Sequence, residues 1–257
     1  MLKIDGTNID ISFIEKPAGK HAPIYYDSGE GTFVLASVNA GNSQALFVGG
    51  GGINAGFGHA LSPTQNIVDY AARHIALAND AAQSGDAFKR YDDDNPDALS
   101  YVYAAKIIDK PGWFEGVSFV DVFAPSRCPH GNPKNAAMLY AAPPHGDNHP
   151  KEADFLDAIA KTGRNIVKCV AGYNALAPKQ NAPVVEAMRL CLYSSVIYNP
   201  NAVPLDQIAL AVFDGVSGEL AAQPSSGIKE LQMPWAAKGD DKSDGPLFRA
   251  VKEKLGL

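Results

Sequence analysis

The run Thr32 to Val38, TFVLASV, limits the architecture of this chain more than any other feature. A strand with one wet face alternates apolar and polar residues, whereas this β-prone stretch is continuous and needs cover on both faces. It predicts a buried central strand. Around it, short apolar runs alternate with helical patterns, as in a layered α/β fold. From Gln65 onward Ile67, Tyr70, Ala71, His74, Ile75 and Ala78 fall at helical spacing, with Gly85 as the stop. Tyr101 to Ile108 and Val117 to Phe123 read as two strands around a Pro111-Gly112 turn. A second helix carries Phe155, Leu156, Ile159, Ile166, Val167 and Val170 on one face. Ala187 to Tyr193 follows as another buried strand, and a helix from about Pro204 carries Leu205, Ile208, Val212 and Val216.

With 257 residues, 46% hydrophobic and 19% charged, the chain can bury one sizeable core. No repeat divides it, so residues 1–257 are read as a single domain. The stretch at about 126–150, rich in Pro, Gly, His and Asn, is read as an insertion or lid. The polar tail at about 238–257 ends in a short helix. A net charge of −6 and the acidic run Asp92-Asp93-Asp94 disfavour general nucleic-acid binding, which needs basic residues against phosphates. A small nucleotide can still be held by backbone amides. Three scattered cysteines form no disulfide framework. The start, Met1-Leu2-Lys3-Ile4-Asp5, has no apolar signal core, and no apolar run reaches the roughly 20 residues needed to cross a bilayer. A soluble, cytoplasmic protein with no membrane partner is expected, although export by a signal-independent route would leave no mark in the sequence.

In an open α/β sheet, ligands bind beyond the carboxyl ends of the strands. Two strand–turn–helix junctions therefore stand out. The first is Val38-Asn39-Ala40-Gly41-Asn42, followed by Gly49-Gly50-Gly51-Gly52-Ile53-Asn54-Ala55-Gly56. Four glycines in a row cost chain entropy and pack nothing, which suits a backbone that must approach a ligand closely. A flexible surface loop is the plainer alternative. No Lys follows as in a P-loop, and the acid of a dinucleotide fingerprint is missing. The second junction is Leu190 to Pro200, LCLYSSVIYNP, leading into an amphipathic helix.

Together these junctions resemble the macrodomain pattern, in which a V-N-A-A-N turn and a G-G-G-[VI]-[DNA]-G loop precede a late S-T-G-[VI]-[YF]-G phosphate loop. Val117 to Pro125, VSFVDVFAP, is similar to the family's V-I-H-x-V-G-P strand. The resemblance spans roughly residues 30 to 216. It implies a three-layer α/β/α mixed sheet with helices on both faces, and binding of ADP-ribose or an ADP-ribosylated macromolecule without a cofactor. By it, Asn42 would pair with the distal ribose hydroxyls, and the amides of Gly50, Gly51, Gly52 and Ile53 would line the diphosphate, beside Asn39 and Ala40. Ser194, Ser195, Val196, Ile197 and Tyr198 would close the other side, with Tyr198 packed on the distal ribose.

The departures bear on catalysis. Where related hydrolases place an Asp that sets up water attack, this chain has Asn54, which is no base. Asn42 and Asn54 are the catalytic candidates, with Asp121 or Asp147 as possible acids. The phosphate loop's two glycines are replaced by Val196 and Asn199, and Asp10 and Asp27 compete for the adenine-binding acid, Asp10 being more simply a solvated polar position in a strand. An ADP-ribosyl hydrolase, a non-catalytic reader, and a scaffold or other nucleotide-processing protein all remain open. Cys128, His130, His145 and His149 are zinc-type ligands, but their spacing fits no standard finger, and solvated loop histidines are the simpler reading. His59, just past the glycine loop, faces the proposed ligand or, as the simpler reading, only the helix surface. No metal is expected.

Overall fold

The computed structural model describes residues 2–14, 34–41, 54, 67–91, 100–106, 115–116, 118–123, 136–195, 198–234 and 245–257. Nine strands form one sheet: β1 (Leu2–Lys3), β2 (Asp10–Ile14), β3 (Val34–Ala40), β4 (Ala87–Tyr91), β5 (Ser100–Ala104), β6 (Ser118–Phe123), β7 (Ala136–Ala141), β8 (Val185–Arg189) and β9 (Glu230–Pro234). Their order is β1-β2-β9-β8-β3-β7-β6-β5-β4. The block β2-β9-β8-β3-β7 is parallel throughout, with β1 antiparallel at one end and the meander β6-β5-β4 at the other. β3 lies inside the parallel block, as its continuous β-prone run predicts.

Among the described residues, helices α1 (Ile67–Ser84), α2 (Glu152–Leu176), α3 (Leu205–Ala222) and α4 (Pro246–Lys254) cover the sheet. One sheet face presents Ala36, Val38, Val120, Leu139, Met188 and Leu231 to Phe155, Ile159, Ile166 and Val170 of α2 and to Ile208, Val212 and Val216 of α3. The other presents Val102 and Ala104 toward α1, whose Leu77, Ala78 and Ala81 are buried outside that cluster. The fold is therefore α/β/α, with helices on both faces. α1 ends where the sequence placed its stop: Gly85 sits at φ +103°, a left-handed backbone that favours glycine.

α2 and α3 approach so closely that side chains are excluded between them. A Cβ on Gly215 would lie 2.2 Å from the Ala160 carbonyl oxygen, and one on Gly163 would lie 3.1 Å from the Val216 amide nitrogen. Below them, Asn174 clasps β8. Its Nδ2 donates to the carbonyls of Val185 and Ser226, both at 2.7 Å, and its Oδ1 accepts from the Val185 amide at 2.9 Å.

Several elements differ from the sequence reading. The stretch at 126–150 is no simple loop, because β7 rises through it and takes the place next to β3. Val117 to Pro125, matched to the family's intervening strand, contains β6, which lies one strand further out. The strand expected over Ala187 to Tyr193 is Val185–Arg189 and leaves its ladder with β3 after Arg189. β1, β4 and β9 were not foreseen.

Candidate functional site

Because β8, β3 and β7 are parallel neighbours, their carboxyl ends open on one edge of the sheet. The segments leaving β8 and β3 are the two junctions singled out by the sequence. The structure brings them into contact. The Tyr198 hydroxyl donates to the Gly41 carbonyl at 3.2 Å, across 157 positions of chain. Gly41 in turn extends the β3–β7 ladder, its amide donating to the Ala141 carbonyl at 2.8 Å. It is glycine for a steric reason: a Cβ there would fall 1.9 Å from Cζ of the fully buried Tyr140.

A third segment, within the stretch read as an insertion or lid, adds to the edge. Residues 143–149, which follow β7, fold against the second junction. The Gly146 amide donates to the Tyr198 carbonyl at 2.9 Å, and Asn201 Nδ2 to the Gly146 carbonyl at 3.2 Å. Ser194 Oγ donates to the Pro144 carbonyl at 2.9 Å, and the His145 ring stands edge-on to Tyr198 with centroids 5.4 Å apart. Gly146 has no room for a side chain, since its Cβ would lie 2.9 Å from Pro200 Cδ. The sequence signal was the turn-forming Pro143-Pro144-His145-Gly146-Asp147-Asn148 directly after an apolar run.

The candidate residues divide accordingly. Asn39 and Ala40 end β3, paired with Tyr140 and Ala141. Ser194, Ser195 and Tyr198 lie on the facing junction. Ser194 is nearly inaccessible and holds a left-handed φ of 58°, while Ser195 Oγ donates to the Leu192 carbonyl at 2.9 Å. The altered glycine position Asn199 acts as a staple, its Oδ1 accepting from the Val203 amide and its Nδ2 donating to the Val203 carbonyl. Asn54 is buried. Asn42, Gly50, Gly51, Gly52, Ile53, Val196 and Ile197 lie outside the described residues, as do Asp27, His59, Cys128 and His130.

Three acids stand differently from expectation. Asp10 begins β2 in register with Glu230 and hence with Ala187 and Leu35. That is about 20 Å from the Gly41 edge at ~3.3 Å per residue, and its partner is Lys3 at 3.1 Å. It is no adenine-binding acid of this edge. Asp121 pairs with Met138, three residues in from Ala141, and is buried roughly 10 Å below the edge. Asp147 is at the edge but turned outward, 3.5 Å from His145 Nδ1.

The acid that does belong near this edge is Glu115. Its carboxylate is fully engaged, with Oε1 2.5 Å from His149 Nε2 and Oε2 accepting from Asn148 Nδ2 at 3.1 Å. Its neighbour Gly116 is tied to the end of β7, its amide donating to the Ala142 carbonyl at 2.7 Å. His149 is thus a paired histidine and not a solvated one. Among the described residues no group of three or more His, Cys, Asp or Glu could hold a metal ion. Beneath the edge, burial pushes the Cys191 thiol up to about 12 despite a hydrogen bond from the Ala40 backbone, and burial also raises the Tyr198 phenol.

A sequence model described as the Mitochondrial association factor 1 C-terminal domain matches residues 108–234. The chain is 31% identical over 225 residues to DNA/RNA-binding protein ALBA4 of Plasmodium yoelii yoelii, covering 80% of this chain and 58% of that protein. It is 28% identical over 203 residues to Mitochondrial association factor 1 form b0 of Toxoplasma gondii, covering 71% and 46%. The chain thus spans about half of these relatives. Among solved structures it is similar to a macrodomain mutant from Oceanobacillus iheyensis, with a TM-score of 0.52, 12% identity and coverage of 99% and 94%. The Trypanosoma brucei macrodomain in complex with ADP-ribose gives 0.50 at 12% identity, covering 96% and 69%. The fold is macrodomain-like.

Proposed function

We propose that this chain binds ADP-ribose, free or attached to a macromolecule, in a cleft at the carboxyl edge of β8, β3 and β7. One observation carries the reading: Tyr198 of the second junction meets Gly41, where the first junction leaves β3, over the end of the central strand. A diphosphate between such turns is held by backbone N–H groups, consistent with a chain of net charge −6. The Trypanosoma brucei macrodomain, similar in fold, is in complex with ADP-ribose. Asn42 would pair with ribose hydroxyls, since a neutral amide both donates and accepts.

Binding without turnover fits these residues better than hydrolysis. Asn54 occupies the place of the hydrolases' Asp, Asp121 is buried below the edge, and Glu115 is committed to His149 and Asn148. The relative named as a DNA/RNA-binding protein suggests nucleic acid as a second reading. The acidic balance of the chain weighs against it, except where the nucleic acid itself carries ADP-ribose.

A thermal-shift titration tests the proposal. ADP-ribose at about 100 times its dissociation constant adds ~2.7 kcal/mol to stability, or roughly 5–10 °C in a domain of this size. Asn42→Ala should abolish the shift in an otherwise folded protein. A flat melting temperature across a large excess of ADP-ribose would sink the reading, and release of ADP-ribose from a modified protein would establish the hydrolase instead of the reader.

A further inference from the structure

We propose that residues 143–149 form a third wall of the cleft and that His145 is its ligand-contacting residue, donating from Nε2 to a phosphate oxygen of a nucleoside diphosphate sugar. The inference rests on the nucleotide-binding reading above and adds to it a contact that the resemblance does not supply.

The position of the turn comes from topology. It leaves β7, next to β3, and leans on the segment that leaves β8, on the opposite side of β3. Both neighbouring walls therefore meet over the end of β3. At that meeting point His145 touches Tyr198, and Tyr198 reaches Gly41.

The chemistry comes from the ring's hydrogen bond. The Asp147 backbone N–H can only donate, and it points at His145 Nδ1 at 3.3 Å. Nδ1 is therefore the acceptor, the Asp147 carboxylate 3.5 Å from it forming no hydrogen bond, and in that tautomer Nε2 carries the proton. Among the described residues no acceptor meets that Nε2–H, and the side chain is 35% exposed. The cap to Asp147 on one side and the Tyr198 ring on the other fix the imidazole. What remains is one oriented donor, next to the residue proposed to pack on the ligand. An anionic oxygen is the acceptor such a donor favours.

Two substitutions separate a ligand contact from a turn cap. Asn can place an oxygen where Nδ1 lies, keeping the cap, but is too short to reach with the distal donor. Gln reaches with a donor near the Nε2 position but loses the cap. Titration calorimetry with ADP-ribose should show His145→Asn about tenfold weaker than the parent protein, its melting temperature unchanged. His145→Gln should bind within about threefold of the parent and melt slightly lower. The proposal is overturned if His145→Asn binds like the parent, or if His145→Gln loses as much affinity as His145→Asn. If the parent itself binds no ADP-ribose, the functional reading fails, and this inference with it.

Discussion

The hydroxyl of Tyr198 donates to the carbonyl of Gly41 at 3.2 Å, bridging the ends of β3 and of the segment that follows β8. The bond is partly buried, and burial raises the phenol's pKa, so the proton stays in place at neutral pH. Tyr198→Phe removes only this bond and should cost about 1 kcal/mol. Urea denaturation would show the midpoint falling with an unchanged slope. Tyr198→Ala, which also removes the ring facing His145, should lower ADP-ribose affinity far more than the Phe variant.

Gly41→Ala places a methyl group 1.9 Å from Tyr140 Cζ in a fully buried ring. The ring has nowhere to turn, and overpacking of this kind costs about 1–3 kcal/mol. Tyr140→Phe would not relieve it, because the clash is with the ring as well as the hydroxyl. Tyr140→Leu should relieve it, so the Gly41→Ala, Tyr140→Leu pair is expected to be more stable than the sum of the single changes predicts.

Asn174→Leu leaves three buried backbone groups without partners: the Val185 amide and the carbonyls of Val185 and Ser226. Unsatisfied buried groups cost ~1–3 kcal/mol each. The variant should lose roughly 3 kcal/mol or more in chemical denaturation. Asn174 lies at the other end of β8 from the cleft. Below its own melting temperature the variant should still bind ADP-ribose normally.

Alkaline pH should unfold the protein in a defined window. Burial lifts the Cys191 thiol to about 12 from 9.0, and the Cys169 thiol and the Tyr103 and Tyr173 phenols rise further. With folded pKa values raised, the unfolded chain gives up protons first. The stability these groups contribute is complete below pH 9.0, the ordinary thiol value, and declines as pH climbs through 12. Melting temperatures measured from pH 8 upward should fall with increasing steepness above about pH 9. For the same reason, Cys169 and Cys191 in a Cys128→Ser background should resist thiol reagents at pH 8 until the chain is denatured.

The parts of the fold legible in the sequence were those with a strong local signature. β3 had a continuous β-prone run, α1 a helical period ended by Gly85, and α2 and α3 long apolar stripes. The two junctions were legible because glycine and turn residues directly followed strands. β7 was not, since its Ala136–Ala141 run is rich in alanine and lies between Pro- and Gly-rich stretches. Its strand character comes from partners on both sides, Ala36 to Ala40 and Ser118 to Phe123, which are remote in sequence. With β7 unseen, the stretch after it was legible only as an insertion or lid, not as a segment packed on the second junction. β9 ends in proline and alternates polar residues, and only its position between β2 and β8 makes it a strand. Asp10, most simply a solvated strand position, opens β2 and so lies at the amino end of its strand, away from the carboxyl edge.

The glycine contact between α2 and α3 has a further consequence. Each helix is the mount of one wall, α2 of the 143–149 turn and α3 of the Ser194–Tyr198 side. Gly215 against Ala160 and Gly163 against Val216 leave no slack for the mounts to slide. The two walls, already joined by the Gly146–Tyr198 and Ser194–Pro144 hydrogen bonds, are thereby held as one unit, and a ligand bound there as proposed would spend little affinity on ordering its host.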